Sequence, residues 1–189
     1  MNYLAHCCLV PSTPPTLAGS IFGDVVHGRS LTHLPRELAL AICLHRKVDV
    51  WTDAHPENKA ARALFHPPLR RFAGIIIDMS YDHFLARDFE IFEQKPLPEF
   101  AQDIYLALQR YEYLLDDKGQ RQIRYIYHTD LLNQYRQWSG TSRALNGIAG
   151  RFSRPTALAG DHVDIVKLLP QLHVHFMRFY PQLKQYAQT

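Results

Sequence analysis

Residues 37–53, ELALAICLHRKVDVWTD, decide the fold class of this chain. The run is apolar, long and free of Gly and Pro, which predicts a helix rather than a strand. At about 100° per residue, His45, Asp49 and Thr52 fall within about 60° of one another, with Asp53 beside them. Towards the N-terminus the same stripe becomes Leu38, Ala41 and Ile42, so an imidazole and a carboxylate continue a face that the helix should bury. A buried carboxylate without a partner is costly, and a cation, a hydrogen-bond network or a metal has to compensate it.

The segments on either side repeat this pattern. Upstream, NYLAHCCLV (2–10) reads as a short helix carrying His6 and ending at the Pro11 to Pro15 linker. Next, TLAGSIFGDVVHG (16–28) places small and apolar residues in helical phase and then Asp24, directly after Gly23. Small residues let helices approach closely, and a carboxylate there points into whatever they surround. Downstream, Pro56 disfavours helical geometry at His55, which therefore belongs to a loop. Residues 57–66 form a short amphipathic segment that Pro67 and Pro68 punctuate. A second long helix, LRRFAGIIIDMSYDHFLARDF (69–89), puts Asp78 and Asp82 on one face and turns His83 about 100° away from Asp82.

The C-terminal half consists of packing helices. PEFAQDIYLALQRYEYLLDD (98–117) spaces its apolar residues by three and four, and Gly119 is expected to separate it from RQIRYIYHTDLLNQYRQW (121–138). In TSRALNGIAGRFSRP (141–155), Thr141 or Ser142 is a potential N-cap and Arg151 and Arg154 form a basic exit. The last segment, 160–186, is a long helix in which Pro170 and Pro181 predict kinks or breaks. The best strand pattern, IRYIY, is isolated. The expected fold is therefore an all-α, single-domain helical bundle spanning residues 1–189.

Composition narrows the function classes. No stretch approaches the roughly 18 apolar residues of a membrane span, so a soluble protein is expected. The apolar start, Tyr3 to Val10, is interrupted by His6 and has no basic lead-in, which argues against a secretory signal. Cys7, Cys8 and Cys43 sit in apolar segments without a zinc-type spacing and read as reduced core residues of a cytoplasmic protein. The net charge of +3 is compatible with an acidic partner. Basic and acidic residues are interleaved and no helix has a basic stripe, which disfavours nucleic acid.

His6, Asp24, His45, Asp49, Asp78, Asp82 and His83 all interrupt otherwise apolar helices of the N-terminal half. Carboxylates mixed with imidazoles suit a hard or borderline divalent ion such as Mn²⁺ or Mg²⁺, and bundles build such sites from side chains on facing helices. The competing explanation is a set of buried acids and imidazoles paired with Arg46, Arg70, Arg71 and Arg87.

MNYLAH at the start, GSIFGD, LHRKVDVWTD, DMSYDHFLARDF and NGIAGRFSRP, in that order along nearly the whole chain, resemble the acyl carrier protein phosphodiesterase family. The resemblance implies a hydrolase that cleaves 4'-phosphopantetheine from a serine of holo-acyl carrier protein. It also implies likeness to the α-helical HD-domain phosphohydrolases and a divalent cation, usually Mn²⁺. The chain departs from that superfamily in lacking any His-Asp dipeptide; the reversed order occurs at Asp82-His83 and Asp161-His162.

Under this reading His6, Asp24, Asp49 and Asp82 are the expected metal ligands, with His45 either a further ligand or the group orienting the attacking water. His83 is the expected proton donor to the departing serine oxygen, and Asp78 or Asp53 would fix an imidazole tautomer. Arg46 is the expected phosphate clamp. Arg62, Arg70, Arg71, Arg151 and Arg154 are the expected docking residues for the acidic carrier. Two rival readings use the same residues: a phosphohydrolase of a nucleotide or other small phosphoester, and a non-catalytic helical binding module.

Overall fold

The computed structural model describes residues 2–28 and 30–188, and every regular element among them is helical. The helices are α1 (Tyr3–Cys7), α2 (Pro14–Phe22), α3 (Arg36–Ala54), α4 (Pro56–Ala63), α5 (Ala73–Arg87), α6 (Phe89–Phe92), α7 (Leu97–Tyr111), α8 (Asp117–His128), α9 (Leu131–Gln134), α10 (Trp138–Ala149) and α11 (Val163–Ala187). Short 3-10 turns over Leu69–Phe72 and Glu112–Leu114 join them. One continuous apolar core runs through the bundle. Among the described residues no helix is long and apolar enough to cross a membrane.

Helix α5 is the centre of the bundle. Every residue from Met79 to Ala86 is buried, because α1, α4, α10 and α11 pack around it. A helix enclosed this way has no polar face to spare, so the carboxylate it carries at Asp82 needs partners inside the bundle. The aromatic side chains Tyr81 and Phe84 of α5 meet Phe176 and Phe179 of α11, with ring centroids 5.4–5.8 Å apart. Helix α3 packs on α2 and keeps an outer face, on which Leu40 and Val50 are exposed. Cys43 lies on that exposed face rather than in the core.

Several local expectations are corrected. IRYIY is part of α8. Gly119 lies inside the first turn of α8 and not between helices; the break falls at Asp116, whose carboxylate caps the Gly119 N–H at 2.7 Å. Helix α10 begins at Trp138, so Thr141 is a buried interior residue and neither Thr141 nor Ser142 is a cap. Helix α11 runs 25 residues straight through Pro170 and Pro181. Both prolines are exposed, as are Val166 and Met177, whose carbonyls lose a partner four residues on, so water can serve them.

Helix α1 is only five residues long, too short to hold its own shape. Its first N–H groups have no intrahelical partner, and Asp82 of α5 supplies one: Oδ2 accepts from Leu4 N–H at 2.8 Å and Oδ1 from Ala5 N–H at 3.2 Å. Asp82 is fully buried, and burial pushes its carboxyl up to about 7 despite these bonds. Removing it as Asp82→Ala leaves two buried donors unpaired and should lower the unfolding free energy by about 3 kcal/mol. Urea denaturation measures this, and a loss below about 1 kcal/mol would show that α1 is held by other means.

Candidate metal centre

Helix α2 ends where the site begins. At Asp24 the backbone tightens to an i−3 bond onto Ile21, which releases the Ser20 carbonyl from the helical ladder. His45 of α3 takes that carbonyl, its Nδ1–H donating at 2.6 Å. The bond fixes the tautomer and leaves the Nε2 lone pair facing outward, the usual support of a metal-binding imidazole. Gly23 makes room for the ring: a Cβ there would meet the His45 ring atoms at 2.2–2.7 Å.

Three further groups converge on His45 Nε2. Asp49, one turn on along α3, places Oδ2 3.1 Å away, and Asp24 places Oδ1 3.4 Å away. His6 of α1 stacks on the His45 ring at 3.8 Å between centroids, and its Nε2 lies 3.1 Å from Asp49 Oδ1. Both imidazoles are buried, whereas the Asp24 and Asp49 side chains are 40% and 43% exposed, so the cluster opens to solvent on its carboxylate side. Among the described residues, His6, His45 and Asp49 form the group whose ligand atoms lie within 4.8 Å of one another.

The electrostatics show what the cluster lacks. Burial lowers the His6 imidazole to about 4, so it is neutral at physiological pH. Burial also acts to lower His45, but hydrogen bonds with Asp24 and Asp49 outweigh it and raise this imidazole to about 9. Burial would raise Asp49, yet the two imidazoles within 3.1 Å of it, His45 first and then His6, hold it well below the usual carboxylate range. The single Nε2 proton of His45 therefore has to serve two carboxylates. The buried His6 Nε2 finds no hydrogen bond of proper geometry, despite its nearness to Asp49.

A divalent ion fits this donor set. With bonds of about 2.1 Å, neighbouring ligand atoms on one ion lie roughly 3 Å apart, which is the spacing seen here. Two neutral imidazole nitrogens and two carboxylates suit a borderline ion, and a cation would satisfy the orphaned His6 nitrogen.

The remaining expected residues lie elsewhere. Asp82 does not join the cluster, because both its oxygens hold α1. His83 is no neighbour of the site either: Nδ1 bonds the Tyr135 carbonyl at 2.8 Å, the ring meets Trp138 edge-on, and its charged neighbours are Arg87, Asp88 and His173. One step along α5 turned it to a different wall. Asp53 is exposed and pairs with Arg62 instead of orienting an imidazole. Asp78 is partly buried; burial raises its carboxyl, and Asp49 and Asp53 add to the effect, so it borders the cluster without belonging to it. Arg46 donates to the Val26 carbonyl at 2.8 Å, which pins the segment after Asp24 to α3 and makes it a positioning residue rather than a free clamp.

Four of the five expected docking arginines come together. Arg62, Arg70 and Arg71 join Lys59 around a depression of about 470 Å³ beside the start of α5. Arg71 also borders, with Arg154, a neighbouring depression of about 410 Å³. Arg151 stands apart from both, in a cleft lined by Asn2, Tyr3 and Tyr135. Lys59, Asn2, Tyr3 and Gly23 were not singled out for chemistry in the sequence; the position of Gly23 directly before Asp24 was the one available signal.

The raised His45 gives a pH signature. In the chelated protein its stabilising contribution is complete below the unfolded value near 6.5 and disappears as pH climbs through about 9. With a divalent ion replacing the proton, that loss should vanish. Melting curves in chelator and in excess Mn²⁺ across this range should therefore diverge as pH rises, and parallel curves would refute the assignment.

A family model described as acyl carrier protein phosphodiesterase matches residues 1–183. Relatives carrying that name include one from Serratia proteamaculans, 35% identical over 99% of this chain and 97% of its own length. Those from Enterobacter sp. and Klebsiella pneumoniae are 33% and 34% identical over all of this chain and 98% of theirs. No solved structure gives a significant match. Full-length matches at this level place the chain in the acyl carrier protein phosphodiesterase family.

Proposed function

We propose that this protein is a divalent-cation-dependent hydrolase of holo-acyl carrier protein, releasing 4'-phosphopantetheine and leaving the apo carrier. The observation that carries this reading is the cluster of His6, His45, Asp49 and Asp24, in which two buried imidazoles, His45 held by the Ser20 carbonyl, face two half-exposed carboxylates. The full-length kinship supports the choice of substrate.

His6, His45, Asp49 and Asp24 would hold the ion, and Mn²⁺ suits the two imidazoles better than the harder Mg²⁺. When bound, such an ion supplies positive charge for the phosphodiester and lowers the pKa of water. The chain's own residues do the rest. Ser20 keeps His45 in the Nδ1–H tautomer, Gly23 admits its ring, and Arg46 fixes the segment that carries Asp24. Water adds to phosphorus and gives up one proton to solvent on the open carboxylate side, the bond from phosphorus to the serine oxygen breaks, and that oxygen takes a proton. The carboxylate side is open to solvent, so water can protonate the departing oxygen there.

Acyl carrier proteins are acidic, and the surface formed by Lys59, Arg62, Arg70, Arg71 and Arg154 offers a complementary approach. The free cysteines suit a reducing cytoplasm, where carrier turnover in fatty acid biosynthesis takes place.

Mass spectrometry of holo-carrier incubated with the enzyme and Mn²⁺ should show loss of the phosphopantetheine arm, abolished by chelator. Asp49→Ala and Asp24→Ala should fold and lose at least a hundredfold in turnover. Activity on free nucleotides with none on holo-carrier would replace this reading by a small-phosphoester hydrolase. A second test concerns docking: kcat/KM should fall as salt rises, and Arg70→Glu with Arg71→Glu should lower it roughly tenfold with kcat little changed. Salt-independent capture would exclude a charge-guided encounter.

A further inference from the structure

A cleft of about 200 Å³ opens beside α1, between α5, α8 and α10, and the mechanism above makes no use of it. Its polar groups are arranged in an unusual way. Gln122 Nε2 donates to the Tyr3 hydroxyl at 2.9 Å, and Asn2 Nδ2 donates to the Tyr135 hydroxyl at 3.0 Å. In each pair the phenol oxygen accepts, which leaves the phenol proton and the carboxamide oxygen uncommitted by that bond, while Asn2 Nδ2 also meets Met79 Sδ at 2.9 Å. The Tyr3 hydroxyl and the Gln122 and Asn2 carboxamides thus belong to residues lining one slot, whose apolar walls include Ile148, with Tyr135 buried behind Asn2. That mixture of donors and acceptors complements a chain of secondary amides, each with one carbonyl and one N–H.

The position of the cleft is as informative as its lining. Tyr3 and His6 stand one turn apart on α1, so one end of the slot adjoins the cation cluster. Burial pushes the Tyr3 hydroxyl up to about 12, with Asp24 adding to the rise and Arg151 opposing it. The phenol is therefore a donor throughout the physiological range, within the fields of both a site carboxylate and a guanidinium. Arg151 lies in the same cleft, where a phosphate linked to the amide chain would meet it.

We infer that this cleft binds the pantetheine portion of the substrate: Tyr3, Gln122 and Asn2 engage its amides, Tyr135 holds Asn2 in place, and Arg151 engages the phosphate at the end that adjoins the cation cluster. The inference rests on the function proposed above. It makes Tyr3 and Arg151 specificity residues for the arm, whereas the basic surface around Arg70 and Arg71 serves the carrier.

Gly147 supplies the test. It lies exposed on α10 among the residues lining the cleft, and a Cβ there would meet nothing within 4 Å, so Gly147→Phe adds a ring at the mouth of the slot without a clash at its base. The probe is free pantetheine, which lacks both phosphate and carrier, titrated into the full chain and followed by NMR. The native protein should bind it saturably in the millimolar range or tighter. Gly147→Phe should weaken that binding at least tenfold, and should raise KM for holo-carrier by a similar factor while Mn²⁺ still stabilises the fold. Tyr3→Phe should weaken pantetheine several-fold, and it decides the matter if Gly147→Phe does not fold.

Absence of saturable pantetheine binding, or equal binding by native protein and variants, overturns the inference. The two failures separate cleanly. Hydrolysis of holo-carrier with an unchanged KM in Gly147→Phe removes the cleft and leaves the function; variant-sensitive pantetheine binding without hydrolysis removes the function and leaves the cleft.

Discussion

The bond from His45 Nδ1–H to the Ser20 carbonyl governs the site, and it exists because α2 stops where it does. Ending a helix always releases carbonyls, and here one of them becomes the support of an imidazole. The same termination puts Gly23 under the ring and Asp24 opposite its free nitrogen. Support, clearance and counter-charge arise from a single local event. Had α2 continued one more turn, Ser20 would have been occupied by the Asp24 N–H and His45 would have had no reason to turn outward.

The second requirement is that α1 bring His6 onto this arrangement. A five-residue helix contributes no stability of its own, so its position is inherited from α5 through Asp82 and from the core contacts of Leu4 and Ala5. The bundle therefore divides its labour. The central α5 is enclosed by its neighbours, α2 and α3 carry His45, Asp49 and Asp24 at their shared edge, and α1 bridges the two.

Much of this was legible in the chain itself. The apolar run closing on His45 and Asp49 predicted α3 and its polar stripe, and both survive with two groups one turn apart. His6 and Asp24 stood out as polar interruptions in apolar helices, and the fold brings them to the same place. What periodicity could not separate was Asp82 from a ligand, since a buried carboxylate looks the same in sequence whether it meets a cation or two backbone N–H groups. The wall that His83 faces is hidden for a related reason: adjacency to Asp82 says nothing about where a ring points after a turn of about 100°. The prolines of α11 misled because their cost depends on exposure, which only the packed structure reveals.

The grip of Asp82 on α1 has a practical side. It acts on peptide N–H groups and is blind to the side chains that the short helix displays. The donor atom offered at position 6 is thus uncoupled from the anchorage of the segment presenting it. A thiolate or an oxygen introduced in place of that imidazole would retune the preference among transition ions while the scaffold stays seated, which makes this terminal turn a natural handle for redesigning metal selectivity.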